Sequence, residues 1–123
     1  MKRSPRILVA DRNPHVRSFV RREMIKSGYQ VRLAGDGRAL FGWIDHPGTV
    51  DLLVLDPELP GADAPRLLER VCRCCPDLPV ILHTDNAALY RFLRRGRVVR
   101  VGKSGNSIEK LIRVIAAMKP ARQ

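Results

Sequence analysis

Long apolar runs are missing from this chain of 123 residues. That absence excludes a transmembrane helix, which needs about 18 or more consecutive apolar residues. The charged start Met1-Lys2-Arg3-Ser4-Pro5 is followed only by Arg6-Ile7-Leu8-Val9-Ala10, too short for a signal-peptide core. Cysteines are few: Cys72, Cys74 and Cys75 fall within four positions. An odd, clustered set is not a secreted disulfide framework, and a zinc site would need a further ligand from His15, His46 or His83. Aromatics make up 5%, too sparse for a base-stacking platform. These absences lead to the expectation of a soluble, cytoplasmic protein.

Apolar residues account for 45% and charged residues for 28%, an ordinary globular mixture. At this length folding should bury roughly two-thirds of the unfolded chain's surface, enough for one core without staples. No linker, repeat or low-complexity tract interrupts residues 1–123, so a single domain is expected over the whole chain. Acidic residues are scarce, 12 Asp+Glu against 23 Lys+Arg, for a net charge of +11. The imbalance is regional: residues 1–27 carry +6, residues 28–90 carry −4 and residues 91–123 carry +9.

Short apolar runs alternate with segments of helical period. Arg6–Ala10, Gln30–Ala34, Leu52–Leu55, Val80–His83 and Val98–Val101 read as strands covered on both faces. Val16, Val20 and Met24 mark a helix that starts at Pro14 behind Asn13 and ends at Gly28. Further helices are predicted over Gly37–His46, Ala64–Cys75, Ala87–Arg95 and Ser107–Met118. Leu89, Phe92 and Leu93 should face inward in the fourth of these, and Ile108, Leu111, Ile112 and Ile115 in the fifth. Five strands alternating with five helices predict an α/β, doubly wound, five-stranded parallel sheet. In such sheets functional residues gather at the carboxyl ends of the strands.

At those ends stand Asp11 after the first strand, Asp56 after the third, Thr84 after the fourth and Lys103 after the fifth. Two carboxylates can hold Mg²⁺, which keeps open positions for water and phosphate oxygens. A hydroxyl and an ammonium can then steady a phosphoryl group on one carboxylate, the nucleophile of aspartyl-phosphate chemistry. His83, next to Thr84 on a strand, should point to the opposite face of the sheet. His15 opens the first helix near the rim and is read as an exposed side chain.

With these residues in place, the chain resembles the response-regulator receiver domain, the CheY-like family. Ile7-Leu8-Val9-Ala10-Asp11 is similar to the family's opening strand and acidic loop. Asp51-Leu52-Leu53-Val54-Leu55-Asp56-Pro57-Glu58-Leu59-Pro60-Gly61 is similar to its phosphoacceptor segment. Pro79-Val80-Ile81-Leu82-His83-Thr84 is similar to the fourth strand with its hydroxyl, and Lys103 lies seven residues after Gly96. The resemblance implies a flavodoxin-like sheet in the order 2-1-3-4-5 and signal relay rather than enzymatic turnover. Asp56 would be the phosphoacceptor, assisted by Thr84 and Lys103. Asp11, Asp56 and the backbone carbonyl of Glu58 would be the ligands of Mg²⁺, and a histidine kinase or phosphotransfer protein the upstream partner.

Five departures bear on that chemistry. Arg12 stands where the family has a second acid, which supplies no lone pair and reverses the local charge. The guanidinium is expected either to substitute for the cation, pairing with Asp11, Asp56 or Glu58, or to swing into solvent and leave a weakened metal site. Asp85 replaces a small residue beside the phosphate position, and would repel a phosphoryl group unless it turns away. Arg100 replaces the family's aromatic switch residue. Ser104 replaces a proline whose preceding bond is commonly cis, so the loop is either strained or rebuilt. The segment from Thr84 to Lys103 is short.

Arg91, Arg94, Arg95, Arg97 and Arg100, with Lys110 nearby, cluster at the family's usual output face. Arg17, Arg21, Arg22 and Lys26 line the first helix, and Lys110, Arg113 and Lys119 the last. An acidic protein partner ranks above nucleic acid, because no nucleic-acid motif accompanies the charge. The sequence therefore supports a relay module, a phosphorylation-independent receiver, or a nucleic-acid-binding protein on a similar fold. Like charges on the last strand and helix favour a monomer or weak dimer.

Overall fold

The computed structural model describes residues 4–46, 48–93 and 98–118. Five short apolar segments form strands: β1 Arg6–Ala10, β2 Gln30–Ala34, β3 Leu52–Leu55, β4 Val80–His83 and β5 Val98–Val101. All neighbours pair in parallel, in the order β2-β1-β3-β4-β5. This is the doubly wound order expected above. Four α-helices connect them: α1 Pro14–Lys26, α2 Gly37–Ile44, α3 Ala64–Cys74 and α4 Ser107–Met118.

The helix starts follow from local chemistry. Asn13, Asp36 and Asp63 each turn a side-chain oxygen onto a first-turn N–H, those of His15, Ala39 and Arg66. Pro14 and Pro65 occupy first turns where no N–H is missed. After α1 the chain reverses through Gly28 at φ +92°, a left-handed conformation that glycine adopts without steric cost. Three helices end one or two residues earlier than expected. At each end the capping N–H still bonds back to a carbonyl of the last helical turn, as Cys75 N–H does to Val71, while the cap residue itself lies outside the helix.

The largest difference lies between β4 and β5. The helix predicted over Ala87–Arg95 is a 3₁₀ helix over Ala87–Leu93. A 3₁₀ turn advances about 2.0 Å per residue against 1.5 Å for an α-helix, so fewer residues span the crossover. Arg94, Arg95, Gly96, Arg97 and Lys119 lie outside the described residues, as do the side chains of Phe92 and Leu93.

Strand alternation divides the core. Ile7, Val9, Leu52, Val54 and Ile81 face α1 and α4, packing on Val16, Val20, Met24, Leu111 and Ile115. Leu8, Leu53, Leu55 and Leu82 face the other way, onto Leu40 and Ile44 of α2 and Leu67, Leu68 and Val71 of α3. Phe41 and Trp43 pack at the margin of that second layer. Each fully buried aliphatic side chain contributes about 1.5–3 kcal/mol, so this two-sided burial fixes where the strand ends meet.

Candidate functional site

Asp11 and Asp56 emerge side by side because β1 and β3 are neighbours in register, with Ala10 opposite Leu55. The N–H of Asp56 donates to the Ala10 carbonyl at 2.7 Å and so carries the pairing one residue past the strand. Both carboxylates are buried, Asp56 completely.

Every oxygen of Asp56 has a donor. Oδ1 accepts from the Glu58 N–H at 3.0 Å and lies 3.1 Å from Lys103 Nζ. Oδ2 accepts from the Arg12 N–H at 3.3 Å and sits 3.4 Å from Arg12 Nε. The same guanidinium reaches Glu58 Oε2 at 3.0 Å. Of the three partners offered to Arg12 by the sequence, it takes Asp56 and Glu58. Lys103 meets Asp56 as expected.

Asp11 takes a different set of donors. Its Oδ1 accepts from the Asn13 N–H at 2.9 Å, and its Oδ2 from His83 Nδ1 at 2.9 Å. On the far side of the imidazole, Nε2 is 3.2 Å from Ser107 Oγ, in the first turn of α4. Asp11, His83 and Ser107 are all buried. The sequence reading placed His83 on the face opposite Thr84 and left it out of the site. The orientation is as expected, but Asp11 is on that same face. Position 11 continues the parity of Ile7 and Val9, and position 83 that of Ile81. Strand parity alone therefore places the two side chains on one face of the sheet. His15 is exposed at the start of α1, as expected.

Thr84 and its neighbours are also engaged. Its Oγ1 accepts from the Asn86 N–H at 3.1 Å, and its carbonyl accepts from Arg100 at 3.0 Å. Arg100 is exposed and touches Thr84 through the main chain, not through a groove of the kind an aromatic ring fills. Asp85 turns toward the Lys103 N–H, which it accepts at 2.7 Å. Among the described residues no peptide bond is cis, so the loop after Lys103 is rebuilt, turning through Gly105 at φ +63°. Arg17 donates to the Asp11 carbonyl at 2.7 Å, adding a further cation at the rim.

These contacts decide whether Mg²⁺ fits. The ion needs near-octahedral oxygen ligands with free lone pairs and space for its waters. Here protein donors cover all four carboxylate oxygens, and a guanidinium lies between Asp56 and Glu58. Among the described residues, no group of three or more His, Cys, Asp or Glu side chains is placed to hold a metal ion. The expected ligand set of Asp11, Asp56 and the Glu58 carbonyl does not fit Mg²⁺ in this arrangement.

Cys72, Cys74 and Cys75 are free thiols at the end of α3, away from the rim. Burial, then the neighbouring Cys74 and Asp45, push the Cys75 thiol above its ordinary range.

The sequence profile of the response regulator receiver domain matches residues 7–113. The DNA-binding transcriptional regulator NtrC of Bradyrhizobium sp. is 37% identical over 76 residues, 62% of this chain and 16% of that protein. The response regulator MprA of Mycolicibacterium vanbaalenii is 40% identical over 81 residues, 64% of this chain and 34% of that protein. The chain thus spans about a sixth to a third of the length of these relatives. Among solved structures, a CheY-like receiver domain protein from Methanospirillum hungatei superposes with a TM-score of 0.80 at 21% identity, over 94% of each chain. The receiver domain of NtrX from Brucella abortus gives 0.73 at 27% identity, over 90% of this chain and 95% of that one.

Proposed function

The chain belongs to the response regulator receiver domain family, and from that premise we propose that it relays a two-component signal through protein contacts without Mg²⁺-dependent phosphorylation of Asp56. The observation that carries this reading is the Arg12 guanidinium, 3.4 Å from a fully buried Asp56 and 3.0 Å from Glu58. A cation delivered by the protein itself occupies the ground a metal would need. Phosphoryl transfer to Asp56 would require these pairs to break and a dianion to be stabilised with no metal to offset it.

In this reading, the upstream partner is a histidine kinase or phosphotransfer protein, and the downstream one an acidic protein. Support for the second comes from a groove of about 530 Å³ beside β5 and α4. It is lined by the cations Arg100, Lys110 and Arg113 and by the apolar side chains of Val101, Val114 and Ala117. Arg91, in the segment before β5, is exposed as well.

The test is incubation with acetyl phosphate at millimolar Mg²⁺, followed by intact-mass analysis of the wild type and of Asp56→Asn. The expected result is no phosphoryl adduct that depends on Asp56, with partner binding unchanged in Asp56→Asn and weakened in Lys110→Glu. An Asp56-dependent adduct in the wild type would restore the phosphoacceptor reading and remove this one.

A further inference from the structure

Arg12 accounts for Asp56 but not for Asp11. The two carboxylates share a rim, yet among the described residues Arg12 makes its side-chain ion pairs with Asp56 and Glu58 and not with Asp11. Replacing Arg12 with an acid would therefore leave Asp11 as it stands, with each oxygen taken by a donor from inside the domain.

We infer that His83 is a second, independent lock on the rim: its Nδ1–H holds the Asp11 carboxylate on the α1–α4 side and withholds it from any divalent cation. The inference rests on the reading that Asp56 is held by the chain's own cations. Three observations carry it. The His83–Asp11 contact, at 2.9 Å, is as short as a good charge-assisted hydrogen bond. Both side chains are almost wholly shielded, 3% and 1% exposed, so water cannot replace the bond when it breaks. The imidazole is fixed from its other nitrogen by Ser107, which belongs to the first turn of α4. A ring held at both ends cannot rotate away to free the carboxylate without giving up a second buried contact.

The Asn13 N–H on Asp11 Oδ1 does not have this effect. It is a local turn contact two residues along the chain, and leaves the second oxygen free to face a metal. The donor from position 83 takes a lone pair of that second oxygen and turns it toward an imidazole anchored on α4, away from the open rim. His83 is thus a positioning residue: it touches no reacting atom, and it sets which way Asp11 faces.

The experiment is an amide NMR titration with MgCl₂ on three folded variants: Arg12→Asp, Arg12→Asp/His83→Val and Arg12→Asp/His83→Asn. Asparagine keeps a donor near the position of Nδ1 and valine keeps none. A hydrogen bond to a charged group contributes about 1.5–3 kcal/mol, so the valine variant should bind Mg²⁺ about ten-fold tighter than Arg12→Asp, or more. The asparagine variant should stay close to Arg12→Asp. Equal affinity in the valine variant and in Arg12→Asp would overturn the inference. Should the valine variant fail to fold, the His83 Nδ1–H resonance of Arg12→Asp decides the matter. It should be lost from its Asp11-bonded position as Mg²⁺ saturates, and its persistence in the metal-bound protein would overturn the inference equally. Phosphoryl uptake on wild-type Asp56 would instead refute the reading on which the inference rests, and leave the comparison of the variants intact.

Discussion

Asp11 and Asp56 are the same residue type at the ends of adjacent strands, and the protein treats them in opposite ways. Asp56 is held by two full cations that reach in from the solvent side, Arg12 with 49% of its side chain exposed and Lys103 with 23%. Asp11 is held by an imidazole and a backbone N–H from within, under almost complete cover. The comparison teaches that burial, not formal charge, decides how hard each contact is to replace. A half-exposed cation can trade its partner for water, whereas a shielded hydrogen-bond donor cannot.

That contrast can be broken at each of its contacts. The largest effect is expected on the Asp11 side. His83→Val leaves a buried carboxylate short of a donor and should lower stability by about 3 kcal/mol, read from urea unfolding of the variant and wild type. A loss below that of a surface substitution would mean that Asp11 finds another donor, and the contrast would collapse. Lys103→Met comes next. It removes the better shielded of the two cations on Asp56 and should cost about 2 kcal/mol, measured in the same way, because Arg12 still faces the carboxylate.

Arg12→Ala should cost less, about 1 kcal/mol, since solvent screens a side chain that is half exposed. Its loss should shrink further in high salt, whereas that of His83→Val should not, and this difference in salt response sharpens the comparison. Glu58→Gln should stay within about 0.5 kcal/mol, because the Arg12–Glu58 pair lies at the surface with both side chains about half exposed. Finally, Cys75 serves as a reporter remote from both carboxylates. Its raised pKa keeps more of it as thiol at neutral pH, so it should alkylate more slowly than a free thiol in intact-protein mass spectrometry.

Much of the fold was legible because it rests on local patterns. The apolar runs mark each strand with the ends seen in the structure. The inner strands β3 and β4 are wholly buried and uncharged, whereas the edge strands β2 and β5 expose part of their length and carry Arg32 and Arg100 there. The expectation of cover on both faces therefore holds only for the inner strands. Asn13, Asp36 and Asp63 lie where helices begin because a side-chain oxygen must meet the free N–H groups there. The segment after β4 was misread because Leu89, Phe92 and Leu93 fit a helical period, and periodicity does not distinguish a 3₁₀ helix from an α-helix over seven residues.

For the site, the sequence by itself determined which groups stand at the strand ends: Asp11, Asp56, Thr84 and Lys103, with Arg12 beside them. It also offered Arg12 three carboxylates, or solvent. Which of these the guanidinium takes depends on distances across the sheet, and only the tertiary structure decided for Asp56 and Glu58 over Asp11. The same holds for His83, which meets Asp11 from 72 positions along the chain. Parity along one strand can be read from sequence, but the meeting of two strand ends across β3 depends on twist and packing, which arise only when the sheet and its helices assemble.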